Sequence, residues 1–175
     1  MRVEQQNAFL SVFRLFWTFF GRFQPIFKQN SYKMDADQIF KIANSLAFFS
    51  WIPLLIAPFN TRIRNLLLGT TVALLSLTYA LLFFQTFDAG AMESFSTLDG
   101  LMSLFSSKEA VLIGWIHYLA FDLLTGIFIA KNAQKHELNP WIVRPIFLFT
   151  FMAGPLGFLL YVIYKTAVTR KYSFE

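Results

Sequence analysis

The chain has 175 residues, of which 56% are hydrophobic and only 14% charged, with a mean hydropathy of +0.51; that composition is too apolar for a soluble domain of this size and indicates a small multi-pass membrane protein. There are no cysteines and only two histidines, His117 and His136, which excludes disulfides, thiolate nucleophiles, thiolate metal sites and the histidine clusters of membrane-bound iron oxygenases. The net charge of +5 comes from Lys and Arg spread over tails and loops, a pattern of anchoring at anionic lipid headgroups and not of nucleic-acid binding.

Residues 1–33 alternate aromatic and basic side chains, with Arg14 inside the run from Phe9 to Phe20 and Arg22, Pro25 and Lys28 beyond it. The segment is too short and too charged for a span and lacks the small-residue cleavage site of a signal peptide. It reads as an amphipathic N-terminal extension lying at the interface. Met34 offers a second possible start, and Asp35 as N-cap with Gln38 three residues on predicts a helix opening there. Residues 34–175 then form a single transmembrane domain of about four helices, an all-α integral membrane fold.

The first span is expected over 39–58, with Asn44, Ala47 and Trp51 on one face and a kink at Pro53. A tight turn at Asn60-Thr61-Arg62 leads into the second, 63–87, where Gly69, Ala73, Ser76 and Ala80 form a stripe small enough for a neighbouring helix to approach closely. Between 88 and 108 the chain turns polar. Within it Leu98, Leu101, Met102 and Phe105 fall at i, i+3, i+4 and i+7, predicting a short helix that lies at the interface or lids a cavity.

Ser106 and Glu109 form a capping box for the third span, 110–130. After a polar turn, Asn139-Pro140 is a cap-then-proline helix start, and the fourth span covers 145–164. Thr150, Gly154, Gly157 and Tyr161 recur on one face of it, and Pro155 inside it frees a backbone carbonyl that needs a partner. Four spans put both chain ends on one side, and the distribution of Lys and Arg leans toward that side being cytoplasmic.

The third span carries the chemistry. Asp122 is the only acid inside any expected span, and insertion of an Asp at mid-membrane costs about 2.5–3.5 kcal/mol, so it should face the protein interior or a wet cavity and have a partner. At about 100° per residue, Gly114, Trp115, Tyr118, Asp122, Thr125 and Gly126 share an arc, with Tyr118 one turn from Asp122, while His117 is displaced by roughly 140°. His117 and Asp122 therefore make no same-face dyad and would cooperate from two sides of the helix, or through a substrate or second helix. The plainer alternatives are a structural carboxyl bonded to Tyr118, Asn44 or Tyr161, and a His117 that bonds between helices. Trp51, Trp115 and Trp141 then serve as packing or interfacial anchors, and His136 is solvated beside Lys135 and Glu137.

The run Gly-Trp-Ile-His-Tyr-Leu-Ala-Phe-Asp-Leu at 114–123, the sequence Gly154-Pro155-Leu156-Gly157 leading to Leu160-Tyr161, and Ile42-Ala43-Asn44 with Trp51 and Pro58 resemble the abscisic-acid-deficient-four-like membrane proteins, and the bacterial members most closely. The resemblance covers about 34–165. It implies a role around carotenoids: one plant member is required for forming an allenic carotenoid, an isomerisation of an epoxide in which a proton goes to oxygen and another leaves a neighbouring carbon. No redox cofactor is formally needed for that, and no dinucleotide fingerprint or metal cluster is present in the sequence. On this reading Asp122 is the acid, with His117 and Tyr118 as further catalytic candidates. Asn44, Trp51, Trp115, Thr150, Gly154, Gly157 and Tyr161 are the substrate-binding candidates, and the protein is placed in a bacterial inner membrane. Two other classes fit the same residues: a non-catalytic pigment- or lipid-binding or accessory protein, and a small proton-coupled carrier in which Asp122 titrates.

Overall fold

The computed structural model describes residues 35–87 and 91–172, so the amphipathic extension expected over 1–33 lies outside the described residues. Everything described is helix or short connection. Helix α1 (Ala36–Ile56) starts where Asp35 was expected to cap it, although the Asp35 side chain makes no capping bond. Asn60 caps the next helix with its side chain, accepting from the backbone of Arg62 and Ile63. That helix, α2, runs continuously over Thr61–Thr86 but widens into a π-turn at Leu68–Val72. The π-turn rotates Thr71 and Val72 inward, and Thr71 there meets Ser50 of α1 at 2.8 Å, a buried hydroxyl pair.

A single helical turn at Ala91–Ser94 precedes α3 (Leu98–Leu104), the short surface helix expected from its periodicity. The long helix α4 covers Lys108–Lys135. Its cap is Ser107, which accepts from the Ala110 amide, and not Ser106, whose hydroxyl bonds back to Ser103. The cap is thus one residue later than anticipated, and with Ala110 at its third helical position no capping box forms.

α1, α2 and α4 are long and apolar enough to cross a bilayer. Their outward faces are apolar: Phe49 and Leu77, for instance, are more than half exposed. An apolar belt of that extent is what lipid, not water, would cover. The inward faces form a continuous core around Trp51, Leu54, Leu123, Ile127 and Phe147. Gly126 lets α1 come close: a Cβ there would stand 2.6 Å from the Trp51 ring. The stripe Gly69, Ala73 and Ser76 does the opposite of what its composition suggests. These residues face outward, and among the described residues a Cβ added at Gly69 would meet no neighbouring element within 4 Å.

The fourth expected span is two helices. α5 (Pro140–Met152) begins as anticipated, with Asn139 accepting from the Trp141 amide and Pro140 in the first turn. It ends at Ala153, whose φ of −158° and ψ of 86° leave the helical region. α6 (Gly154–Thr169) then turns back. Gly157 of α6 lies against the backbone of Thr150 in α5, two residues that in one straight helix would be about 10 Å apart. The stripe read as one face of a span is folded in half, its two parts pressed together.

Five contacts fix the directions of the two arms. α5 starts near the C-terminal end of α1, where Arg144 donates to the carbonyls of Leu55 and Ile56 at 3.1 Å each, satisfying groups a helix terminus leaves bare. Its last residue, Met152, accepts a hydrogen bond from Tyr118, near mid-length of α4. α6 returns alongside α4, with Phe158 on Phe128 and the Tyr161 hydroxyl 2.5 Å from Asn132. At about 20 Å and 24 Å, the two arms form a re-entrant hairpin whose tip lies midway along the bundle.

The ends of the described chain, residues 35 and 172, lie at opposite ends of the bundle, where four full spans would put them at one. The described chain begins at the bundle end where Asp37 meets Lys108 and finishes at the other. Lys165, Arg170 and Lys171 therefore join Arg62, Arg64, Lys131, Lys135 and Arg144 at a single, strongly basic end. Arg64 is buried there, donating to the Pro58 carbonyl at 2.9 Å and to Gln134 Oε1 at 2.6 Å.

Candidate functional site

The hairpin tip and the middle of α4 together build the site. A helix break at this depth leaves backbone polar groups away from water, and such groups persist in a membrane only where protein satisfies them. Tyr118 donates to the Met152 carbonyl on one side of the break. On the other, the Asp122 carboxylate meets the backbone N–H of Gly154, the first residue of α6, and the Tyr118 hydroxyl lies beside it. Gly154 has to be glycine here, since a Cβ would overlap Asp122 Oδ1. The carboxylate thus stands at the positive end of a helix that has no side-chain cap of its own.

Asp122 is only 5% exposed, and its second oxygen, Oδ2, has no hydrogen-bond partner among the described residues. It lines a groove of about 870 Å3 between α4 and the start of α6. His117, Tyr118 and Thr125 supply the other polar groups; Phe121, Phe128 and Phe158 make the walls apolar. Phe121 and Phe128 are themselves substantially exposed on the outer surface of the bundle, so the groove opens sideways, toward the belt that lipid would cover. At one edge Phe105, just beyond α3, rests on Gly114.

His117 faces this groove from the far side of α4, its ring stacked on Phe121 with centroids 4.5 Å apart and leaning on Tyr79 of α2. His117 and Asp122, separated around α4 by about 140°, both line the groove. Gly154 also lines it.

The remaining expected ligand contacts lie elsewhere. Asn44 accepts from Trp115 Nε1 at 2.9 Å, and the Trp115 ring stacks on Tyr118, so this pair braces Tyr118 from behind. Trp51 is core, packed on Phe147 and Phe151. Thr150 is buried in the hairpin with its hydroxyl on the Ile146 carbonyl, facing Gly157. Tyr161 bonds Asn132 and not Asp122. Of the other groove residues, Pro155 was expected only to interrupt a span, and Phe121, Leu124, Phe128 and Phe158 carried no signal for a site beyond being apolar. His136, expected in solvent, is partly covered, with Nε2 buried and without a partner among the described residues; burial first, then Lys165, Lys135 and Lys171, hold its pKa below the ordinary 6.5. Among the described residues no group of three or more His, Asp and Glu side chains gathers that could hold a metal ion.

Long apolar helices around one carboxylate at mid-depth, with an apolar groove open to the side, define a small helical protein of membrane type. The chain belongs to the ABA DEFICIENT 4-like family, whose model matches residues 38–161; that stretch contains the whole groove and the hairpin tip. No curated protein and no solved structure matches it.

Proposed function

We propose that the protein takes a long apolar isoprenoid, such as a carotenoid, sideways from a bacterial inner membrane into the groove and isomerises it by proton exchange. The observation that carries this is the orphan oxygen of Asp122 facing an apolar, laterally open groove: its volume lies in the range of ligand pockets, and an ionisable group at mid-membrane is functional by default. Opening of an epoxide balances without a redox partner. The oxygen gains a proton as its C–O bond breaks, and a neighbouring carbon loses one as its electrons form the new double bond, so the mass is unchanged. His117 and Asp122, on opposite margins of the groove, are the pair between which these protons move; Tyr118 holds Asp122 in place. The basic end of the bundle faces the cytoplasm.

The test is the pigment profile of carotenoid-producing cells, with an epoxide-containing pool, expressing the wild type or Asp122→Asn at equal levels. An isomer of unchanged mass that is lost in the variant supports the reading. An unchanged profile despite good expression sinks it.

A second reading draws on the hairpin. Broken helices that meet at mid-depth beside an acid are how many carriers hold their coupling ion, and a proton-coupled carrier would show flux whose pH dependence disappears in Asp122→Asn.

A further inference from the structure

Besides Asp122 Oδ2 in the groove, two buried side-chain atoms have no hydrogen-bond partner among the described residues, His136 Nε2 and Thr166 Oγ1. They belong to one place at the basic end of the bundle. α6 runs parallel to α4, with Gly154 beside Asp122, Phe158 beside Phe128 and Tyr161 beside Asn132. The same register carries Lys165 and Thr166 to the level of His136, the residue that ends α4. Thr166 is about 12 Å along α6 beyond Phe158, the last residue of that helix to line the groove. Burial is the first influence on the His136 ring and the charges of Lys165, Lys135 and Lys171 come next, so three ammonium groups lie within electrostatic range of it. Lys171 is turned back toward the bundle: Arg170 ends α6 at a φ of 54°, and the Lys171 amide donates to Thr169 Oγ1 at 3.2 Å. Among the described residues Glu137 is the one acid at this end.

A buried polar atom without a partner is destabilising, so each of the two calls for one. A threonine hydroxyl and an imidazole carrying its proton on Nε2 both donate, and amid lysines the group that accepts from both is an anion. We infer that the ends of α4 and α6 form a binding site for the phosphodiester of an anionic phospholipid, with His136 Nε2 and Thr166 Oγ1 as donors and Lys135 and Lys171 supplying charge. Both donors belong to residues that are only partly covered, and a side-chain rotation brings each to the surface. The choice of a lipid over free phosphate rests on α6. Leu156, Leu159 and Ile163 are exposed and fall with Thr166 at i, i+3, i+7 and i+10, one stripe along which an acyl chain can lie beneath its headgroup. The site is separate from the groove, and its fate leaves the chemistry proposed there untouched.

The test follows the thermal unfolding of the purified full chain in a neutral detergent, by tryptophan fluorescence, as lipid is added. Phosphatidylglycerol should raise the midpoint by about 2–6 °C and then saturate, as a site does. Phosphatidylcholine, whose choline would meet the lysines, should raise it much less, and inorganic phosphate at the same concentration no more than phosphatidylcholine. Thr166→Val removes a donor and no charge, and should cut the phosphatidylglycerol shift by half or more. Arg62→Gln removes an exposed charge at the same end that is not among those acting on His136, and should keep the shift. If Thr166→Val does not fold, the comparison of lipids on the unaltered chain decides alone. No shift, equal shifts with the two lipids, or a shift that grows without saturating overturns the site. So does a Thr166→Val that responds like the wild type, or an Arg62→Gln that loses as much. An equal response to inorganic phosphate overturns the lipid as the ligand.

Discussion

Gly154 and Asp122 touch so closely that the fold of the hairpin and the position of the carboxylate are one problem: the bare Cα of the first residue of α6 is what allows the acid to reach the backbone at the break. Gly154→Ala should displace Asp122 and destabilise the protein by about 1–3 kcal/mol, the usual range for overpacking a filled site. Thermal unfolding in detergent measures the loss, and an unaltered midpoint would show that the carboxylate is free to move aside.

Gly157 and Gly69 make a matched pair of opposite sign. The contact at Gly157 is backbone of Thr150, which cannot swing away, so Gly157→Ala should open the hairpin and cost more than Gly154→Ala. At Gly69 there is open space, and Gly69→Ala should be neutral or stabilise by up to about 1 kcal/mol through helix propensity alone. The same unfolding assay ranks all three.

The contrast also marks what the sequence could tell. Composition, the long helices, the cap at Asn139 and the isolation of Asp122 are all local properties, and each is legible from residue types and spacing. The hairpin is not. Residues 145–164 have the hydropathy and length of a span, and Gly154-Pro155 is as compatible with a kink as with a reversal; the choice is made by Tyr118 and Asp122, which satisfy the broken backbone from another helix. The same blind spot explains the ligand candidates. Thr150, Gly157 and Tyr161 read as a stripe on one face, because in a continuous helix they would share it, and the π-turn that carries Thr71 to Ser50 leaves no mark in periodicity at all.

Tyr161 and Asn132 join α6 to α4 in the interior. Tyr161→Phe removes the donor and should cost about 0.5–2 kcal/mol, the spread of buried polar contacts between membrane helices. Because the pair lies away from the groove, the pigment profile of cells expressing the variant at wild-type levels should be unchanged; a loss there would place Tyr161 in the site after all.

His136 gives a pH dependence with a definite sign. Its folded pKa lies below the ordinary 6.5, chiefly through burial and then through Lys165, Lys135 and Lys171, so the unfolded chain takes up the proton first. Its contribution is intact above about pH 6.5 and is lost as the pH falls through the depressed value. Melting temperatures between pH 8 and 5 should fall for the wild type and fall less for His136→Gln.

The topology is open to direct test, because the chain has no cysteine of its own. Single cysteines at Lys135 and Lys171 should react with an impermeant maleimide from the same side of the membrane, and one at Asp99 from the opposite side. Four full crossings would instead put Lys171 on the side of Asp99.

A hairpin that goes in and comes out on one face has a consequence for how the protein is made. With α1, α2 and α4 as the spans, this arrangement asks for no translocation of residues 139–172. The last two helices can wedge into the bundle as a pair from the side on which their basic flanks, Arg144 at one arm and Arg170 and Lys171 at the other, remain. Assembly of the groove is then the final act of biogenesis, since its second wall is absent until α6 docks on Asp122, and a chain halted before that point would be inserted yet have no pocket.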